Sequence, residues 1–342
     1  MSSGISVELA EWSRLYAIAS QVKQLAPWQW MAETDIFGIE KPNGELVFVS
    51  VMGALGEHFA VAAYPGIEAL SRFWNLQNNA ADVDPTTVLE IPQLQLAFDD
   101  RKFLDAPDLA ILKQLGLKFR GKNAWPNFCS YRPGFVPGPL QPDEAATMRV
   151  VLEQLVEVAP ALRDNPQRVR PDDPDNYLVR IGRGNGEWQD EFRRLPLITF
   201  PPVRVLPNTD EVRRGHALPK VESRIDIDFL CLPTPIQTGK ERPFYPYMLL
   251  MVDSQRGAIV GQEMLSVESD VDEMLRRLPN IILRQLEKLG IRPTAIGVRT
   301  GRLEHLLRPW CESLGIQLLL PKNLRMLDEA RHSLLEFLTH TT

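Results

Sequence analysis

The residues able to do chemistry in this chain are few, and most stand in its last third. Asp226 and Asp228, in the run Arg224-Ile225-Asp226-Ile227-Asp228, fall on one face of a strand because side chains alternate with period two. Two carboxylates so placed either contribute to a divalent-cation site or pair with a neighbouring cation, for which Arg224 and Arg242 are at hand. Arg299-Thr300-Gly301-Arg302 stands where a strand ends and a helix begins, so free backbone N–H groups beside two guanidinium groups suit a phosphate or a carboxylate. The competing reading pairs Arg299 and Arg302 internally with Glu304, Asp228 or Asp226. In the first half, Gly53-Ala54-Leu55-Gly56-Glu57-His58 sets an acid beside a histidine on a loop, a position where an acid–base pair could act. Gly53 and Gly56 precede a strand, so they do not make a phosphate-cradling turn, and with no third partner in sight a satisfied hairpin loop is the plainer reading. Trp28, Trp30 and Met31 read as packing residues rather than a ligand cage.

What is missing narrows the chemistry further. His216, His305, His332 and His340 share no ligand spacing, and no Walker A, HExxH, GxSxG or Cys–His nucleophile pattern occurs. Cys129, Cys231 and Cys311 are odd in number and far apart, which argues against a disulfide framework and a cysteine zinc site and fits a reducing cytosol. No cofactor and no resident metal is expected. The sequence begins without the charge-then-apolar order of a secretory leader, and no apolar run approaches the ~18 residues a membrane span needs, so a cytoplasmic protein with no membrane partner is expected.

These residues must be positioned by a scaffold, and 342 residues at roughly 100–200 per domain suggest two. The net charge is −6, so the molecule as a whole is no nonspecific polyanion binder; residues 201–342 carry 19 Lys+Arg against 18 Asp+Glu, so any phosphate affinity belongs there. The first part reads as an amphipathic helix over 5–25, strands over 35–40 and 45–52 around an Asn43-Gly44 turn, and a strand over 58–64. Helix 66–76, strand 93–99, helix 107–115 and strand 127–132 follow. A long helix over 143–162 and a hairpin around Arg183-Gly184-Asn185-Gly186 complete an α+β unit. Residues 1–200 are assigned to it, 201–220 to a proline-rich connector without apolar periodicity, and 221–342 to a second domain.

In that second domain strands are expected over 224–232, 247–252 and 257–265, then a helix over 270–289, a strand over 294–298, a helix over 303–314, a strand over 316–320 and a helix over 327–338. Three strands in hairpin order followed by α, β, α, β, α is the element order of the ribonuclease-H-like fold, a mixed five-stranded sheet with helices. The second strand should run antiparallel to its neighbours, and the fourth and fifth parallel to the first.

The runs Ile225 to Leu232, Tyr247 to Asp253 and Gly257 to Gly261 resemble the opening of the integrase and transposase catalytic core. The whole chain, through Val49-Ser50-Val51-Met52-Gly53-Ala54-Leu55-Gly56-Glu57-His58, is similar to an uncharacterised bacterial family of two-domain proteins of unknown function. The first resemblance implies that Asp228 occupies the position of the first metal-binding carboxylate. It also implies that Arg299 to Arg302 stand where such enzymes carry a second acid, and that Glu336 or Glu329 is available for the third. A guanidinium at the second position repels a cation. A non-enzymatic binding or scaffold module with a degenerate site is therefore expected, its partner unknown, with nucleic acid or a phosphorylated ligand the candidates. The alternative is a metal-dependent nuclease or strand-transfer enzyme using Asp226, Asp228 and Glu336 or Glu329.

Overall fold

A computed structural model of the chain describes residues 7–79, 89–170, 173, 175–195, 203, 205–239, 242–268 and 270–340. It divides into two compact units, Met1–Arg132 with Pro137–Thr199 and Pro133–Val136 with Phe200–Thr342. The expected boundary residues Phe200, Pro201 and Pro202 lie outside the described residues.

The first unit runs α1 (Leu9–Leu25), β1 (Phe37–Glu40), β2 (Leu46–Met52), β3 (Ala60–Pro65), α2 (Gly66–Asn79), β4 (Gln93–Asp99), α3 (Ala106–Gln114), β5 (Trp125–Tyr131), α4 (Pro142–Asp164), β6 (Asn176–Gly182) and β7 (Trp188–Arg194). Its seven strands lie in the order β5-β4-β3-β2-β1-β6-β7. Every pairing is antiparallel except β1 with β6, whose connection passes through most of the unit. The Asn43-Gly44 turn forms as expected, with Gly44 at φ 83° and its N–H donating to the Lys41 carbonyl at 2.8 Å. Alternation on the strands sends Phe37, Ile39, Val47, Val49 and Val51 to the face packed by α1 and α4, and Phe48, Ala62 and Tyr64 to the face packed by α2.

The second unit opens with α5 (Thr209–Ala217), followed by β8 (Lys220–Cys231), β9 (Tyr247–Asp253), β10 (Ile259–Leu265), α6 (Val271–Arg276), α7 (Leu278–Leu289), β11 (Arg292–Val298), α8 (Gly301–Ser313), β12 (Gln317–Leu319) and α9 (Arg325–His340). The sheet order is β10-β9-β8-β11-β12; β9 is antiparallel to both neighbours, and β11 and β12 run parallel to β8. This is the ribonuclease-H-like arrangement, with Ile225 paired to Ile296 as the shared-sheet reading requires.

Two elements differ from the sequence reading. The helix expected over 270–289 is two helices, because Pro279 has no N–H to give and restricts the residue before it, and so opens α7 near its first position. Within 201–220, α5 forms with one apolar contact, Val212 on the core, and otherwise on polar ones. Asn208 and Glu211 make a reciprocal capping box, Asn280 of α7 donates to Glu211 at 2.9 Å, and Arg214 grips Glu287 of α7 through two bonds of 2.8 and 2.6 Å.

Candidate functional site

The register of β8 decides what surrounds its carboxylates. Ile225 and Ile227 face the core under α6, α7 and α8, while Asp226, Asp228, Leu230 and Leu232 face the opposite side, where α9 brings Leu327 and Ala330. Both carboxylates are thereby buried, each about 1 % exposed, and a buried carboxylate stays charged only with a partner.

Asp228 has two. Its Oδ2 accepts from Arg299 Nε at 2.8 Å and from Arg331 Nη1 on α9 at 3.2 Å, and its Oδ1 accepts the Phe229 N–H at 2.9 Å. The Nη2 of Arg299 continues outward to Asp328 of α9, which is half exposed. Burial works against the Arg299 charge, but Asp228 and then Asp328 outweigh it and hold the guanidinium above its ordinary range. Asp226 lies against Arg224: Nη2 donates to Oδ2 at 3.1 Å, and Nε comes within 2.9 Å of Oδ1 but is misaligned, leaving that oxygen without a hydrogen bond. The room for Oδ1 comes from β11. Gly297 is the register partner of Asp226, and a Cβ there would lie 2.3 Å from Oδ1.

Three carboxylates, Asp226, Asp228 and Asp328, are thus matched by three arginines, Arg224, Arg299 and Arg331. The acids offered for a third metal position lie elsewhere on α9: Glu329 pairs with Arg325 at 3.0 Å, and Glu336 is exposed and 3.2 Å from His332. Among the described residues no group of three or more His, Cys, Asp or Glu could hold a metal ion. Arg242, the other cation weighed for the carboxylates, donates instead to the Val136 carbonyl at 2.7 Å.

The strand-to-helix junction after β11 is also engaged. Thr300 caps α8 by accepting the Leu303 N–H at 3.3 Å, Gly301 starts the helix, Arg302 lies 3.6 Å from Asp272, and Arg308 pairs with Glu304 one turn before it. Sequence reasoning named Arg299 and Asp228 as an alternative pair but missed Asp328 and Arg331.

In the first unit the loop residues fall between packed and exposed. Gly53, at φ 131°, is pressed so closely that a Cβ would lie 2.7 Å from the Phe59 ring, whereas Gly56, at φ 79°, has open space and donates to the Gly53 carbonyl at 2.9 Å. Glu57 and His58 are exposed. The acid that His58 influences is Glu33: burial raises its carboxyl above the ordinary range and the His58 charge opposes the shift. Asp253 behaves as a turn residue, accepting from the Gln255 and Arg256 N–H groups at 2.9 and 2.8 Å, which hold its carboxyl below the usual range.

Among solved structures, the chain is similar to the catalytic core domain of BIV integrase (13 % identity, 34 % of this chain and 68 % of that one, TM-score 0.25). It is also similar to a simian T-cell lymphotropic virus intasome in complex with PP2A regulatory subunit B56 gamma (15 %, 40 % and 43 %, TM-score 0.24). A third is the Mos1 strand transfer complex (13 %, 66 % and 60 %, TM-score 0.20). No curated protein matches. Among the described residues no helix is long and apolar enough to cross a membrane. Residues 12–180 match the model of a domain of unknown function (DUF7309), and residues 211–335 match that of a second domain of unknown function (DUF6930).

Proposed function

We propose that the second unit is a ribonuclease-H-like binding or scaffold module in which an internal arginine–carboxylate lock replaces two-metal chemistry, within a two-domain protein. The observation that carries this reading is Asp228: one of its oxygens is shared by Arg299 and Arg331, and the other is held by a backbone N–H. Two-metal phosphoryl transfer needs carboxylates with lone pairs free to bridge cations ~4 Å apart. A divalent ion approaching Asp228 meets two guanidinium groups first, and displacing either leaves a half-buried cation beside it. The partner bound by such a module is a protein, nucleic acid or phosphorylated ligand that its surface recognises without bond breaking.

A cleavage assay with Mg²⁺ or Mn²⁺ on single-stranded, duplex and hybrid substrates tests the reading. All three are expected to stay intact. Cleavage by the wild type that disappears in Asp228→Asn would instead favour a metal-dependent nuclease.

A further inference from the structure

The first unit holds a second arginine–carboxylate pair, and this one borders a cavity. Asp35 is buried; its Oδ2 accepts the Ala32 N–H at 2.7 Å, and its two oxygens take Nε and Nη2 of Arg170 at 2.6 and 2.5 Å. The pairing fixes the guanidinium in its plane and, among the described residues, leaves Nη1 without a partner on a side chain that is 48 % exposed. Arg170 also lines an open cavity of about 490 Å³, whose walls include Trp28, Trp30, Met31, Gly53 and Phe59. Gly53 lets the backbone lie flat against the Trp28 and Phe59 side chains, since a Cβ there would reach within 3.1 and 2.7 Å of them.

The aromatic walls are backed by cations. The Lys23 amine stands 5.3 and 5.1 Å from the Trp28 and Phe59 ring centroids, and the Arg163 guanidinium lies 5.5 Å from that of Trp30. With Arg170, that makes three cations around these rings, answered by Asp35 and by exposed Asp164, which is 3.4 Å from Arg163. Lys23 stands behind the rings, its amine donating to the Asn123 carbonyl, so Arg170 is the cation on the cavity wall. A site of this volume suits a small molecule, flat aromatic surfaces select a flat ring, and a fixed guanidinium edge selects an anionic oxygen. We propose that this cavity binds a small aromatic carboxylate, its ring against Trp28, Trp30 and Phe59 and one carboxylate oxygen on Arg170 Nη1. The site is independent of the lock in the second unit.

Calorimetric titration of the full chain with 2-naphthoate tests this, with 2-naphthalenemethanol as the uncharged analogue. One saturable site is expected, the alcohol binding at least about tenfold more weakly. Trp30→Leu and Arg170→Gln should each weaken 2-naphthoate by at least about tenfold while melting as a folded chain. If Arg170→Gln fails to fold through release of Asp35, the wild-type comparison of acid with alcohol decides alone. No saturable binding at ~1 mM 2-naphthoate, equal affinity for the alcohol, or adenosine monophosphate binding more tightly than 2-naphthoate would overturn the assignment.

Discussion

Asp35 with Arg170 and Asp228 with Arg299 are the same chemistry put to different ends in the two units. Each joins a carboxylate exposed by no more than about 3 % to an arginine far along the chain, with bonds under 3 Å. Around Asp228 the pairing is shared: a second arginine takes the same oxygen, and Asp328 takes the far side of the first. Around Asp35 a single arginine uses two of its three nitrogens and keeps the third beside a cavity. A buried ion pair is therefore no sign of function by itself. What distinguishes the two is the setting of the arginine: Arg170 lines a cavity, whereas Arg299 and Arg331 are drawn together on one carboxylate oxygen.

The sharpest way to break this comparison is to delete the carboxylate at each centre. Asp228→Ala leaves Arg299 and Arg331 converging on nothing and should cost the second unit ~3–5 kcal/mol, measured by denaturant unfolding. Asp35→Ala loses one bidentate partner, itself half exposed, and the Ala32 N–H bond, so a smaller loss of ~1.5–3 kcal/mol is expected in the first unit. Equal losses would erase the distinction between a shared lock and a single clasp. Next in size is Gly297→Ala, which pushes a methyl group against Asp226 Oδ1 and should cost ~1–3 kcal/mol through overpacking; a neutral result would mean that Asp226 has room to move.

The smallest expected effect is a pH dependence near the first-unit loop. Glu33 has its carboxyl raised by burial, so the folded chain holds that proton more readily than the unfolded one. Stability from this group is therefore lost as pH rises from the ordinary carboxylate range through the raised folded value. Glu33→Gln should flatten that slope in melts across the window, and His58→Ala should steepen it, because the His58 charge opposes the shift.

How much of this the sequence disclosed follows from where the information lies. The central strand β9 was legible because its continuous apolar run, Tyr247 to Val252, is buried on both faces. Helix α5 was not, because its docking runs through Glu211 and Arg214 with Val212 as its single apolar contact, too little for an apolar stripe; the Asn-x-x-Glu spacing was the one signal available. The pairing of Arg299 with Asp228 could be named as an alternative, since both flank strands expected to be adjacent. Its completion by Asp328 and Arg331 depends on the rotational phase of α9. The buried stripe Leu327, Ala330 and Leu334 turns positions 328 and 331 toward β8 and leaves Glu329 and Glu336 outside, a distinction that a search for acids on that helix does not make. The cavity beside Arg170 was beyond reach, because it joins residues more than a hundred positions apart.

The most direct measurement on the central claim is the melting of the second unit with and without millimolar Mn²⁺, in the wild type and in Asp228→Asn. An arginine lock predicts that the metal leaves the wild-type midpoint unchanged within ~1 °C, since an ion that does not bind the folded state cannot stabilise it. A rise of several degrees in the wild type that Asp228→Asn abolishes would contradict it and return the carboxylates to metal chemistry.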